Sequence, residues 1–122
     1  MFCTYGNYEI EGACYASLEY LLYGLPVIST QSVGGRDVYH DDNNSIICVP
    51  DINSVNNAIQ LCLCKIKNGE YDPISVRNNA IEKILFYREI FYNVIKKIFE
   101  ENNINDDIPK LRKVTLHYNN LS

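Results

Sequence analysis

With 122 residues, 47% of them apolar and 21% charged, the chain has material for one packed domain of modest size and too much of it for wholesale disorder. A formal net charge of −4 argues against a protein that grips nucleic acid by general phosphate attraction. No run approaches the roughly 18 apolar residues of a membrane span, and no basic-then-apolar start marks a signal peptide, so the expected location is the cytoplasm.

Phe2-Cys3-Thr4-Tyr5 reads as a short strand and Gly6 to Glu11 as a polar loop. From Gly12 to Tyr23 the pattern predicts a helix. Cys14, Leu18, Leu21, Leu22 and Leu25 recur at three- and four-residue spacing, and Gly24 stands where a C-terminal cap belongs. Pro26 forbids continuation, so 26–30 is a strand. A glycine-bearing loop, Gln31 to Asp42, carries Gly34-Gly35-Arg36-Asp37 and leads to a further strand over 45–49, closed by Pro50. Apolar runs without alternation fit strands covered on both faces, as in a parallel sheet.

Val55, Ala58, Ile59, Cys62, Leu63 and Ile66 then predict a helix capped by Asn53 or Ser54 and stopped by Asn68-Gly69. Asp72-Pro73 starts another, with Asp as the cap and Pro in the first turn. Helical periodicity persists to Glu101, as one helix or as two with a bend near Arg88. The polar tail, 102–122, includes weak alternation at 113–118, where a frayed terminus is expected over a strand. The five cysteines (3, 14, 48, 62, 64) fall into no zinc-ligand spacing and read as reduced packing residues, so no metal is expected.

This order predicts an α/β fold: a partial doubly wound, Rossmann-like parallel sheet with flanking helices, spanning 1–101 and ending in long helices. Three strands are few for two helical layers, and the chain reads as incomplete.

One constellation carries chemistry. Glu11 and Glu19 stand eight residues apart at the start of the first helix, a separation of about 12 Å at helical rise. That is comparable with the span from sugar to ribose in a nucleotide-diphosphate sugar. Between them the amides of Gly12, Ala13, Cys14 and Tyr15 are expected to open from the helix N-terminus, where an anionic, hydroxyl-rich ligand is favoured. On spacing alone, a solvated helix face with a favourable charge at its start is the commoner explanation.

Glu11 to Thr30, EGACYASLEYLLYGLPVIST, resembles the donor-site signature of retaining GT-B glycosyltransferases of the group 1, glycogen-synthase-like type. The likeness continues through Gly34-Gly35, Asn44, Val49-Pro50-Asp51 and the helix after Asn53, over roughly residues 1 to 100. It implies the C-terminal half of a GT-B donor domain and transfer of a sugar, with retention, from a nucleotide-diphosphate sugar to an acceptor hydroxyl. Glu11 would meet the donor sugar near the reacting centre as the catalytic acidic residue. Gly12, Ala13 and Cys14 would offer amides to sugar and diphosphate, Tyr15 would lie by the phosphates, and Glu19 would hold the ribose. Ala13 and Cys14 depart from the aromatic and glycine usual there, and Gly35-Arg36-Asp37 replaces an apolar-Pro-Glu stretch. Arg36 reads more simply as a charged loop residue.

The resemblance implies no cofactor beyond the donor and no metal. It places the acceptor domain and an Arg/Lys grip on the diphosphate upstream, so a C-terminal fragment acting with an upstream domain or chain is expected. The acceptor, whether sugar, lipid or protein, would be the only route to a peripheral membrane contact. Two alternatives stand beside this reading: a non-catalytic remnant or association module of the same fold, and a GT-B nucleotide-sugar epimerase or phosphorylase. A Rossmann oxidoreductase is disfavoured, because no G-x-G-x-x-G follows a strand. His40 and His117 read as surface or structural, and Tyr87, Phe91 and Tyr92 as packing residues.

Overall fold

A computed structural model describes residues 2–3 and 14–104. In chain order they form β1 (Phe2–Cys3), α1 (Tyr15–Leu22), β2 (Val27–Thr30), a 3-10 turn (Gly35–Tyr39), β3 (Ser45–Cys48), α2 (Ile52–Lys67) and α3 (Pro73–Glu101). The strands make one parallel sheet in the order β1-β2-β3, with Phe2 beside Ile28 and Val27 beside Ser45. The protein is thus α/β with a small parallel sheet. The loop expected over 6–11 and the segment 113–118 lie outside the described residues.

Two compact units divide the chain, Met1–Ile81 and Glu82–Ser122. In the first, β2 lies between its neighbours, touches both α1 and α2, and is buried along its whole length. Leu21 of α1, Val27 and Ile28 of β2, Ala58 and Cys62 of α2, Tyr71, and Val76 and Ala80 of α3 form the core. Burial pushes the Cys62 thiol above its usual range. It pushes the Tyr71 phenol up to about 12, so that hydroxyl stays protonated and donates to the Ser45 carbonyl at 2.9 Å.

The expectation of strands covered on both faces holds for β2 and fails for β3. Ile46 and Cys48 pack against the core, whereas Ile47 between them and Val49 beyond are exposed. β3 is an edge strand among the described residues, and α2 covers one of its faces.

The helix ends follow local rules closely. At the end of α1, Gly24 N–H donates to the Leu21 carbonyl and Leu25 N–H to the Tyr20 carbonyl, each at 2.9 Å, with Gly24 at φ +76°. This is the paired-bond glycine stop that the sequence predicts. It turns Leu25 out of the apolar stripe, so Leu25 is half-exposed. The same pair of bonds ends α2, from Gly69 to Ile66 and from Glu70 to Lys65. A third ends α3, with Asn103 at φ 53° in the glycine's place.

At the other end of α2 the cap is Asp51, not Asn53 or Ser54. Its carboxylate accepts from the N–H groups of Asn53 (3.0 Å) and Ser54 (2.9 Å). Two of the expected stripe residues, Leu63 and Ile66, are exposed. Asp72 accepts from Ser75 N–H at 2.9 Å and opens α3 as expected. That helix runs unbroken past Arg88 to Glu101.

Candidate functional site

In a parallel sheet every connection that leaves a strand departs from the same edge, and ligands of open α/β folds bind beyond that edge. Here β1 ends at Cys3, β2 at Thr30 and β3 at Cys48, all on that edge.

Glu11, Gly12 and Ala13 lie outside the described residues. Cys14 is the N-cap of α1, with an extended backbone (φ −75°, ψ 96°) and no side-chain hydrogen bond to the helix amides. The helix proper starts at Tyr15, three residues later than the periodicity predicts. Two consequences correct the sequence reading. Glu19 stands little more than one turn into the helix, and helical rise does not apply across the whole of 11–19. The amides without an intrahelical acceptor are those of Cys14, Tyr15, Ala16 and Ser17, so the opening lies further along the chain than 12–15.

The Ser17 hydroxyl turns back to the Cys14 carbonyl at 2.9 Å, which steadies the first turn from its buried side. Tyr15 and Tyr23 are 75% and 82% exposed. Glu19, exposed between them at four-residue spacing, lies on the face away from buried Ser17 and Leu21. Its carboxylate is open to solvent and to any ligand seated along that face.

The loop after β2 folds back on its own strand. Arg36 is buried, its Nη2 donates to the Thr30 carbonyl, and its Nε donates to Asp37 Oδ1 at 3.1 Å. Asp37 Oδ2 accepts from Ser32 N–H at 2.8 Å. His40 Nδ1 comes within 3.8 Å of the same carboxylate. Arg36 therefore satisfies the last carbonyl of β2 and, with Asp37, ties the following loop back to its strand, a packing role in place of an outward contact.

Asn44, part of the motif likeness, belongs to the opposite edge. Its carbonyl accepts from Val27 N–H at the start of β2 (3.0 Å), and its amide donates to the Tyr39 carbonyl (2.8 Å) and to Asn79 Oδ1 of α3 (2.6 Å). Asn79 donates on to Asp41 Oδ2 at 3.1 Å. Gly24 sits near the same edge, where a Cβ would come 2.5 Å from the Pro73 carbonyl oxygen. Sequence reasoning missed this polar clasp. Asn44 and Asn79 are 35 residues apart, and no local pattern links them.

Among the described residues no group of three histidine, cysteine or acidic side chains stands together to hold a metal ion. No described helix is long and apolar enough to cross a membrane. Comparison with protein-family models, with curated proteins and with solved structures finds no match to this chain.

Proposed function

We propose that the chain binds a nucleotide-diphosphate sugar at the N-terminal end of α1, as the donor-binding portion of a retaining GT-B glycosyltransferase. The sheet would then be part of a Rossmann-like, doubly wound domain. The observation that carries the reading is the uncapped start of α1 at the carboxyl edge of a parallel sheet, with an exposed acidic side chain one turn further in. The free amides there, with the helix dipole behind them, favour a diphosphate. The Glu19 carboxylate accepts hydrogen bonds from vicinal hydroxyls such as those of a ribose.

On this reading Glu11 meets the donor sugar, and the amides of Gly12, Ala13 and Cys14 line the sugar and diphosphate. Tyr15 lies beside the phosphates, and Glu19 holds the ribose. In the transfer the anomeric C–O bond to the diphosphate breaks and one to the acceptor oxygen forms, while the acceptor proton passes to the departing diphosphate. Oriented amides stabilise the charge that develops on that leaving group. The reading also needs an acceptor-binding part and basic residues on the diphosphate, which the resemblance assigns to an upstream domain or chain.

Calorimetric titration with the diphosphates of uridine, guanosine and adenosine tests the proposal. One of them binds, and Glu19→Ala weakens it about tenfold or more, as expected for losing a hydrogen bond to a charged group. Silence with all three at millimolar concentration overturns the reading, as does binding that Glu19→Ala leaves unchanged.

A further inference from the structure

The second unit carries a feature that donor binding does not use. Between Glu82 and Glu101, α3 is apolar on two opposite faces. One includes buried Tyr92. The other is a ladder at four-residue spacing, Phe86, Ile90, Val94 and Ile98, between 44% and 61% exposed. At 100° per residue the centre of this ladder falls diametrically across the helix from Tyr92. A helix apolar all round is normally covered all round, and this ladder extends over more than three turns.

The charges at its ends say what covers it. Lys83 lies in line with the ladder before its first residue, and Glu101 lies in line after its last. We infer that the ladder is the interface of a symmetric, antiparallel α3–α3 dimer of this chain, with its two-fold axis near position 92. In that register Lys83 of each copy faces Glu101 of the other, at both ends of the contact. Ile90 packs on Val94 across the axis, Phe86 meets the aliphatic stem of Lys97, and Tyr87 meets Ile98. A parallel pairing brings Lys83 to Lys83 and Glu101 to Glu101, which like-charge repulsion disfavours. Glu101 is already drawn toward the ladder by Lys97 of its own helix, at 3.8 Å. The surface is self-complementary, as an isologous contact requires.

Sedimentation equilibrium of the whole chain between about 5 and 500 μM, at low and high salt, tests this, with far-UV circular dichroism as the control for folding. The chain is expected to pass from monomer to dimer in that range, with association weakened by salt. Ile90→Asp or Val94→Asp, each at an exposed position, leaves the helix signal unchanged and the chain monomeric. Lys83→Glu weakens the dimer about tenfold by placing like charges at both ends, and adding Glu101→Lys restores it. A monomer throughout the range overturns the inference and assigns the ladder to a different partner. So does a dimer indifferent to Ile90→Asp and Val94→Asp, and so does a charge exchange that fails to restore association. None of these outcomes bears on nucleotide binding at α1.

Discussion

Two glycines with the same backbone angle separate two kinds of constraint at the residue scale. Gly24 and Gly69 both sit at φ +76° in helix stops, but a Cβ at Gly24 would collide with Pro73, whereas one at Gly69 meets open space. Gly69→Ala therefore carries only the left-handed backbone cost, about 1 kcal/mol. Gly24→Ala adds a clash with backbone and is expected to cost about 3 kcal/mol, read as a larger fall in the urea midpoint at unchanged slope. The Asn44–Asn79 contact offers a second residue-level test. Asn44 is fully buried, and truncating it takes a donor from the Tyr39 carbonyl and from Asn79 Oδ1 and an acceptor from the Asp41 N–H. Asn44→Ala should cost about 2–3 kcal/mol. Asn79→Ala should cost less, because its side chain is only partly buried. The double variant should fall short of the sum, since each change already breaks the bond they share.

Among the elements, what the sequence reveals depends on how local the cause is. The glycine stop of α1, the Asn68-Gly69 stop of α2, the Asp72 cap of α3 and buried β2 were all legible, because each is decided within a few residues. The start of α1 was not: apolar spacing continues back to Gly12, while the backbone at Cys14 is extended. Nor was the open face of β3, because an apolar run does not say how many layers cover it. The cap of α2 was misassigned by two or three residues, since aspartate, asparagine and serine can all cap and they stand close together at 51, 53 and 54. Asp51 supplies an element-scale prediction. Hydrogen bonds from Ser54 and Asn53 hold its carboxyl below the usual carboxylate range. A group with a lowered folded pKa stabilises fully above its unfolded value and loses that contribution as pH falls through the folded one. Asp51→Ala should lower the urea midpoint at neutral pH, whereas Asp51→Asn keeps the cap and most of the stability. The asparagine variant should also lose stability less steeply than the parent as pH falls below about 4, in urea titrations at each pH.

Over the whole molecule, a motif of twenty residues divides by what it does. Its last part, Gly24 to Thr30, is fold grammar: a helix stop, a proline that ends helix, and a buried strand. Asn44, further along the likeness, and Arg36, where the sequence departs from it, likewise hold loops against strands. Among the described residues the start of α1 lacks a side-chain cap and Glu19 is exposed, which is why the functional reading rests there. Long-range polar clasps and the exposure of a helix face have no signature in a single sequence, so the clasp at Asn79 came from the structure alone. The apolar late helix was visible, but not which of its faces stays open. α3 joins these threads, because it runs through both units. Val76 and Ala80 are core residues of the first, while the stretch beyond Ile81 carries the open ladder. Hydrogen exchange should therefore change along one continuous helix. Amides over 76–81 should be protected to the level of global unfolding, because they open only when the core does. Those over 86–101 should exchange faster in dilute solution, by at least tenfold in protection factor, and should gain protection as protein concentration rises into the range where copies pair. Uniform protection along α3 at every concentration would show that the helix opens as a single block and that its exposed ladder costs it no local stability.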